Sequence, residues 1–201
     1  ANLYLHEALD SWLKDKFPDV EFERYADDVI VHCVSEAQAY FMKNRIEGRL
    51  KLFKLTLHPD KTKVVYVGQD DKQDKVDRKV PRKFTYLGFD FKPREWRAKT
   101  VFTPAIAQKA RKLLRTKMRR WGLRHKCSVE IEEIALQINK VTRGWIQYYG
   151  SYRRSSLWYV ANDINCELIK WLKHKFKSIN TCKKAWKQLY EIRQENPRLF
   201  C

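Results

Sequence analysis

Long apolar runs are absent from this chain of 201 residues. None approaches the roughly 18 consecutive apolar residues that a membrane-spanning helix needs, and no signal-like segment opens the sequence, so no membrane partner is expected. Cys-x-x-Cys pairs are missing too. The five cysteines (Cys33, Cys127, Cys166, Cys182 and Cys201) are scattered and odd in number, which fits a reducing compartment and offers no zinc site. The five histidines (His6, His32, His58, His125 and His174) share no ligand spacing with them. There is no internal repeat and no low-complexity tract. Acidic residues are scarce in the second half: residues 97–201 hold 24 Lys+Arg against 7 Asp+Glu, while residues 1–96 hold 18 against 17. The formal charge of +18 therefore sits almost wholly in the C-terminal half. Trp and Tyr are interleaved among those basic residues, which favours nucleic acid over a membrane surface as the anionic partner.

What is present is enough to fold. Hydrophobic residues make up 44% of the chain and aromatics 13%, sufficient for one good core or two small ones. The sequence opens on Ala1, already inside a helical pattern, and reads as a fragment. Within it, Arg24-Tyr25-Ala26-Asp27-Asp28-Val29-Ile30-Val31-His32-Cys33 sets two adjacent carboxylates at a tight bend between apolar arms. The outgoing arm is apolar on both faces, as expected for a strand buried in the middle of a sheet. Asp is also a common turn former. Two crowded carboxylates nevertheless repel each other unless a cation joins them. Hard divalent cations with oxygen ligands, Mg²⁺ above all, are the natural partners.

Periodicity organises the remainder. Asn2 to Lys16 reads as a helix with Leu5, Leu9, Trp12 and Leu13 on one face. Phe22 to Tyr25 is the strand entering the acidic bend. Ser35 and Gln38 form a capping box for a helix to about Phe53 that buries Phe41, Ile46, Leu50 and Phe53. Val64 to Val67 reads as strand and Gln69 to Arg82 as a charged loop. Phe84 to Phe91 alternates as a strand, with Gly88 allowing a bend, and Trp96 and Val101-Phe102 complete a hairpin with it. The period then changes from two to 3.6. Thr103-Pro104 is the expected start of a helix with a stripe at Ala110, Leu114, Met118 and Trp121 that Gly122 stops. Ser128 is the expected cap of a second helix, with Ile131, Ile134, Ile138, Val141 and Trp145 inward. A third starts at Ser156, and a fourth runs from Cys182 to Gln194.

In chain order these elements resemble the second half of a group II intron reverse transcriptase, or maturase. Ala1-Asn2-Leu3-Tyr4-Leu5 resembles the helix after the template-binding motif. Tyr25-Ala26-Asp27-Asp28 resembles the catalytic hairpin. Leu55-Thr56-Leu57 through Lys61-Thr62-Lys63 resembles the next motif, and Phe84 to Phe89 the primer grip. Ile138-Asn139 with Arg143-Gly144-Trp145-Ile146-Gln147-Tyr148-Tyr149-Gly150 resembles the maturase-specific signature of the thumb, or X, domain. The resemblance implies an α+β fold: residues 1–103 the C-terminal part of a polymerase palm, antiparallel hairpins with helices, and residues 104–201 an all-α helical thumb/maturase bundle.

The same resemblance implies RNA-directed DNA polymerisation by two-metal phosphoryl transfer, with two Mg²⁺ ions about 3.5–4 Å apart. Asp27 and Asp28 would be the catalytic metal ligands, Asp27 foremost. Tyr25, Ala26 and Lys61 would meet the incoming deoxynucleoside triphosphate, with Lys63 the alternative lysine. Tyr86, Leu87 and Gly88 would grip the primer. Lys112, Arg115, Arg119, Arg143, Tyr149, Arg153 and Arg154 are the expected RNA contacts, while Trp145 continues a buried stripe and reads as core. The expected partners are intron RNA, an RNA-template/DNA-primer duplex and the N-terminal fingers and palm. The family's further metal-binding Asp, on an upstream strand, does not occur here. One wall of the metal site would then come from residues outside this chain, which alone should not extend a primer. The compartment implied is bacterial cytoplasm or an organellar matrix. Two alternatives remain: a non-catalytic RNA-binding maturase, and an intron-free cellular or defence reverse transcriptase.

Overall fold

The structure is a computed structural model that describes residues 1–68, 80–96 and 99–200. Most of the charged loop expected over Gln69 to Arg82 lies outside the described residues. The chain divides into two compact units, Ala1–Tyr86 with Glu95–Phe102 and Leu87–Arg94 with Thr103–Cys201.

The first unit opens with a helical run made of α1 (Asn2–Leu5), a π-turn (His6–Asp10) and α2 (Ser11–Lys16). Leu9 and Leu13 are buried as their spacing predicts. Strands β1 (Phe22–Tyr25) and β2 (Asp28–Val31) pair antiparallel, with Phe22 opposite Val31 and Tyr25 opposite Asp28. Helix α3 (Glu36–Leu52) starts as its sequence dictates. The Gln38 amide N–H donates to Ser35 Oγ at 3.2 Å, and the Gln38 side-chain oxygen accepts from the Val34 N–H at 2.7 Å. That is a capping box shifted by one residue. Its buried stripe is Met42, Ile46 and Leu50. Phe41, expected inside, is 52% exposed and meets Phe17 edge-on at 6.1 Å. Ile46 and Leu50 fix the four-residue stripe on Met42, and Phe41 lies about 100° around the helix from it.

Two strand expectations are corrected. The acidic hairpin is not in the middle of a sheet: among the described residues β1 and β2 form a two-stranded ribbon. Val29 and Val31 pack on the core of Leu9, Leu13 and Met42, whereas Val34 is 97% exposed. An apolar pattern on both faces tells that both can be covered, and this unit covers one. Val64 to Val67 forms no strand either. The Tyr66 N–H donates to the Pro81 carbonyl at 3.0 Å, and proline, lacking an N–H, cannot return the bond that would extend a ladder.

Phe84 to Phe91 is a hairpin, not one strand. Strand β3 (Phe84–Tyr86) turns into β4 (Phe89–Trp96) through Leu87 and Gly88, with φ of 48° and 80°. Two consecutive positive φ values match a type I′ turn. With β5 (Lys99–Ile106) these strands form a sheet in the order β3-β4-β5. Pro104 lies within edge strand β5, where a missing N–H is tolerated. The next helix therefore begins later than Thr103-Pro104 predicts.

In the second unit α4 (Gln108–Arg120) buries Ala110, Leu114 and Met118, and Gly122, left-handed at φ 60°, ends the helical course. Helix α5 (Ile131–Tyr149) starts after Glu130, without the expected Ser128 cap. Its inward stripe is Ile131, Ile134, Ala135, Ile138 and Thr142. Val141, expected inward, is 41% exposed. Helices α6 (Trp158–Lys175), after a 3₁₀ turn at Arg154–Leu157, and α7 (Cys182–Glu195), capped by Thr181, complete the unit. Their core is Leu168, Trp171, Leu172, Ala185 and Leu189 against Leu123, Ile134 and Ile138. Trp171, 1% exposed, satisfies its indole N–H on the Lys126 carbonyl at 2.9 Å.

Candidate active site

Strand alternation sorts the acidic hairpin into two faces. Phe22, Arg24, Val29 and Val31 share the inner face, and Phe22, Val29 and Val31 join the core there. Glu23, Tyr25, Asp28 and Ile30 share the other. Tyr25 is 64% exposed, and Asp27 and Asp28 are exposed at the tip. Ala26 takes φ 54°, a left-handed conformation that costs a residue with a Cβ about 1–2 kcal/mol. Backbone strain of this kind clusters at functional sites. In urea denaturation, Ala26→Gly should leave the midpoint unchanged or raise it. Ala26→Val, with a branch that tolerates positive φ poorly, should cost a further ~1 kcal/mol or more.

An arginine supports the tip from inside. Arg24 donates from Nε to Asp10 Oδ1 at 2.7 Å and from Nη2 to Asp10 Oδ2 at 2.6 Å. Its Nη1 donates to the Ala26 carbonyl at 2.8 Å and to Asn2 Oδ1 at 3.3 Å. The side chains of Arg24 and Asp10 are each 12% exposed. Hydrogen bonding by the guanidinium outweighs burial and holds the Asp10 carboxyl below its ordinary range. Sequence reasoning did not single out either residue. The available signal was an arginine on the inner face of an apolar strand, a position that demands a buried counter-charge.

The outer face is acidic. Glu23 meets His32 at 2.7 Å. Burial first, then the charges of Glu23 and Asp28, push the Tyr86 phenol above its usual value, so Tyr86 lies in the field of Asp28. Among the described residues no cation pairs with Asp27 or Asp28, and no group of three or more His, Cys, Asp or Glu side chains comes together. The hairpin thus offers two adjacent hard-oxygen donors with no built-in counter-ion. That fits a hard divalent cation as two ligands of a larger set. Lys61 and Lys63 are exposed, on a turn where the Lys61 and Thr62 amides both donate to the His58 carbonyl.

The other expected contacts lie in the second unit. The Leu87 carbonyl accepts from Tyr148 Oη at 2.8 Å. A Cβ at Gly88 would sit 3.3 Å from Tyr149 Oη. Phe89 packs against Tyr148, Tyr149 and Tyr152 at 5.2, 5.5 and 5.2 Å. Tyr149 is thus half-buried under a turn, while Tyr148 and Tyr152 are 48% and 66% exposed. Trp145 stacks on Trp121 at 5.7 Å, as core. Lys112, Arg119, Arg143 and Arg154 are exposed, and Arg153 is half-buried with its Nε on Ser155 Oγ. Arg115 is already engaged: its Nη2 meets Asp163 at 2.7 Å, and Arg111 shares that carboxylate at 3.2 Å.

Residues 1–91, which hold the acidic hairpin, match the reverse transcriptase (RNA-dependent DNA polymerase) family model. That sets the class. Residues 111–190, from within α4 into α7, match the group II intron, maturase-specific domain, and the two matches together support a group II intron reverse transcriptase/maturase. No curated protein matches it.

Proposed function

We propose that this chain carries the catalytic hairpin of an RNA-directed DNA polymerase and an intron-RNA-binding helical unit. The observation behind the first part is the pair of exposed carboxylates, Asp27 and Asp28, held on a tight turn without a cationic partner among the described residues. They would hold Mg²⁺ together with a carboxylate from the upstream palm. When bound, the metal supplies Lewis acidity to the primer 3′-oxygen and to the leaving pyrophosphate. Tyr25 and Ala26 present a ring and a nearly bare backbone to the nucleotide sugar. Lys61, or failing it Lys63, offers an exposed ammonium to the triphosphate. Tyr86, Leu87 and Gly88 form a hairpin tip suited to the primer strand. A non-catalytic maturase would have no physical reason to keep two unpaired acids side by side, so the enzymatic reading is preferred. Primer extension by Asp27→Asn protein, scored beside its RNA affinity, tests it.

Excess positive charge on the second unit supports RNA binding by Lys112, Arg119, Arg143, Arg153 and Arg154. Arg115 is already paired with Asp163 at 2.7 Å. If those five meet phosphates, the slope of log affinity on log salt should be about −4 to −5, a loss of roughly 10²–10³-fold between 50 and 200 mM. Filter binding of intron RNA across that range checks it, and a flat response would contradict it.

A further inference from the structure

The acidic tip has a strained residue, Ala26, at its first central position, and the Arg24 side chain reaches under it to bond its carbonyl. Arg24 bonds the Ala26 carbonyl at 2.8 Å while both Asp10 oxygens hold its fork at 2.6–2.7 Å. From these contacts we infer that Arg24 and Asp10 are positioning residues: a guanidinium clamp that fixes the Ala26 turn so that Asp27 and Asp28 present their carboxylates together to a divalent cation. The inference rests on the metal-site reading above.

Three features carry it. First, Arg24 is on the inner face and the acids are at the tip or on the outer face, so the clamp acts through the backbone and leaves the carboxylates free. Second, Asp10 cancels the charge of Arg24. An uncompensated guanidinium two residues from Ala26 would repel an incoming cation. Paired as a bidentate fork, it keeps its geometry and adds no net charge to the site. Third, Asp10 closes the π-turn His6–Asp10 between α1 and α2, and such turns often mark functional positions in helices. His6 Nδ1, 3.4 Å from Asp10, is the other titratable neighbour of that carboxylate. Lysine would keep the charge of Arg24 and lose the fork, since an ammonium cannot span both Asp10 oxygens and the Ala26 carbonyl in one plane.

The test uses the 201-residue chain and Mn²⁺ as the probe, followed by loss of backbone amide NMR signals through paramagnetic broadening. In the unaltered chain the first signals lost should be those of Asp27 and Asp28. Arg24→Lys and Asp10→Asn should each raise the Mn²⁺ concentration for half-loss about five-fold, the effect of roughly one lost hydrogen bond. Amide exchange at Asp28 and Val29 should quicken to a similar degree. A role confined to stability would lower the melting midpoint and speed exchange throughout α3 while leaving the Mn²⁺ requirement where it was. That result, or no change in either variant, overturns the inference. Asp27→Asn separates the two levels. If broadening at the hairpin survives Asp27→Asn, the metal reading itself fails. If Asp27→Asn abolishes it but the clamp variants do not weaken it, the metal reading stands and the clamp falls.

Discussion

Replacing Asp27 by Asn should abolish template-directed nucleotide incorporation, by about 10³-fold or more, while leaving intron-RNA affinity within about two-fold. The size follows from what a metal ligand does. A two-metal site contributes several kcal/mol of transition-state charge stabilisation, and each 1.36 kcal/mol lost is a factor of about ten. Asn keeps the volume and removes the anionic oxygen that a hard cation needs. Folding should be unaffected, because Asp27 is exposed and makes no ion pair among the described residues. The assay compares the variant with unaltered protein that extends a primer, since the described residues assemble no third acidic ligand beside the pair. Asp28→Asn, altering the neighbouring ligand, should act in the same direction.

The second large effect is on stability. Asp163 is 9% exposed and faces two arginines, Arg111 and Arg115. Burial pushes its carboxyl up, but the hydrogen bonds and charges of Arg115 and Arg111 together outweigh burial, and the net shift is downward. Asp163→Ala leaves two guanidinium groups of α4, one turn apart, facing α6 without their shared counter-charge. A fully buried pair broken on one side costs about 3–5 kcal/mol; here, with the Arg115 side chain 44% exposed and screened, about 2–3 kcal/mol is expected. For a unit of this size that is a fall in melting temperature of about 10–20 °C. The sign of the pH dependence follows from the same shift. A carboxyl that titrates lower when folded stabilises fully above its unfolded value, near 3.9, and loses that contribution as pH falls through the folded value. Scanning calorimetry should therefore show a stability difference between the parent and Asp163→Ala that is constant above about pH 5 and closes below about pH 4.

Local chemistry made some of these elements legible and left others out of reach. The acidic hairpin, the Ser35 start of α3, the Ala110-Leu114-Met118 stripe and the Cys182 start of α7 each rest on contacts within a turn or two, and sequence states those directly. The errors share another cause. Pro104 fits a helix start and an edge strand equally well, and only the sheet decides. Leu87 at positive φ is unusual, so a hairpin passed for one strand. Val64 to Val67 has strand composition, yet its neighbour is a proline that cannot complete the ladder. Thr142 replaced Val141 in the α5 stripe because phase along the helix, not polarity, sets which residue turns inward. The arginine partners were the least visible. Arg24 finds Asp10 fourteen residues away, and Arg115 finds Asp163 forty-eight away. Arg115, expected among the RNA contacts, also meets a carboxylate that its own helix does not supply.

Crystals of the polymerase-competent protein with template, primer, nucleotide and Mn²⁺ would test the central claim most directly, by anomalous scattering at the manganese edge. The account predicts a peak within coordination distance of the Asp27 carboxylate, with Asp28 beside it. Manganese bound elsewhere, with that carboxylate turned to solvent, would contradict it.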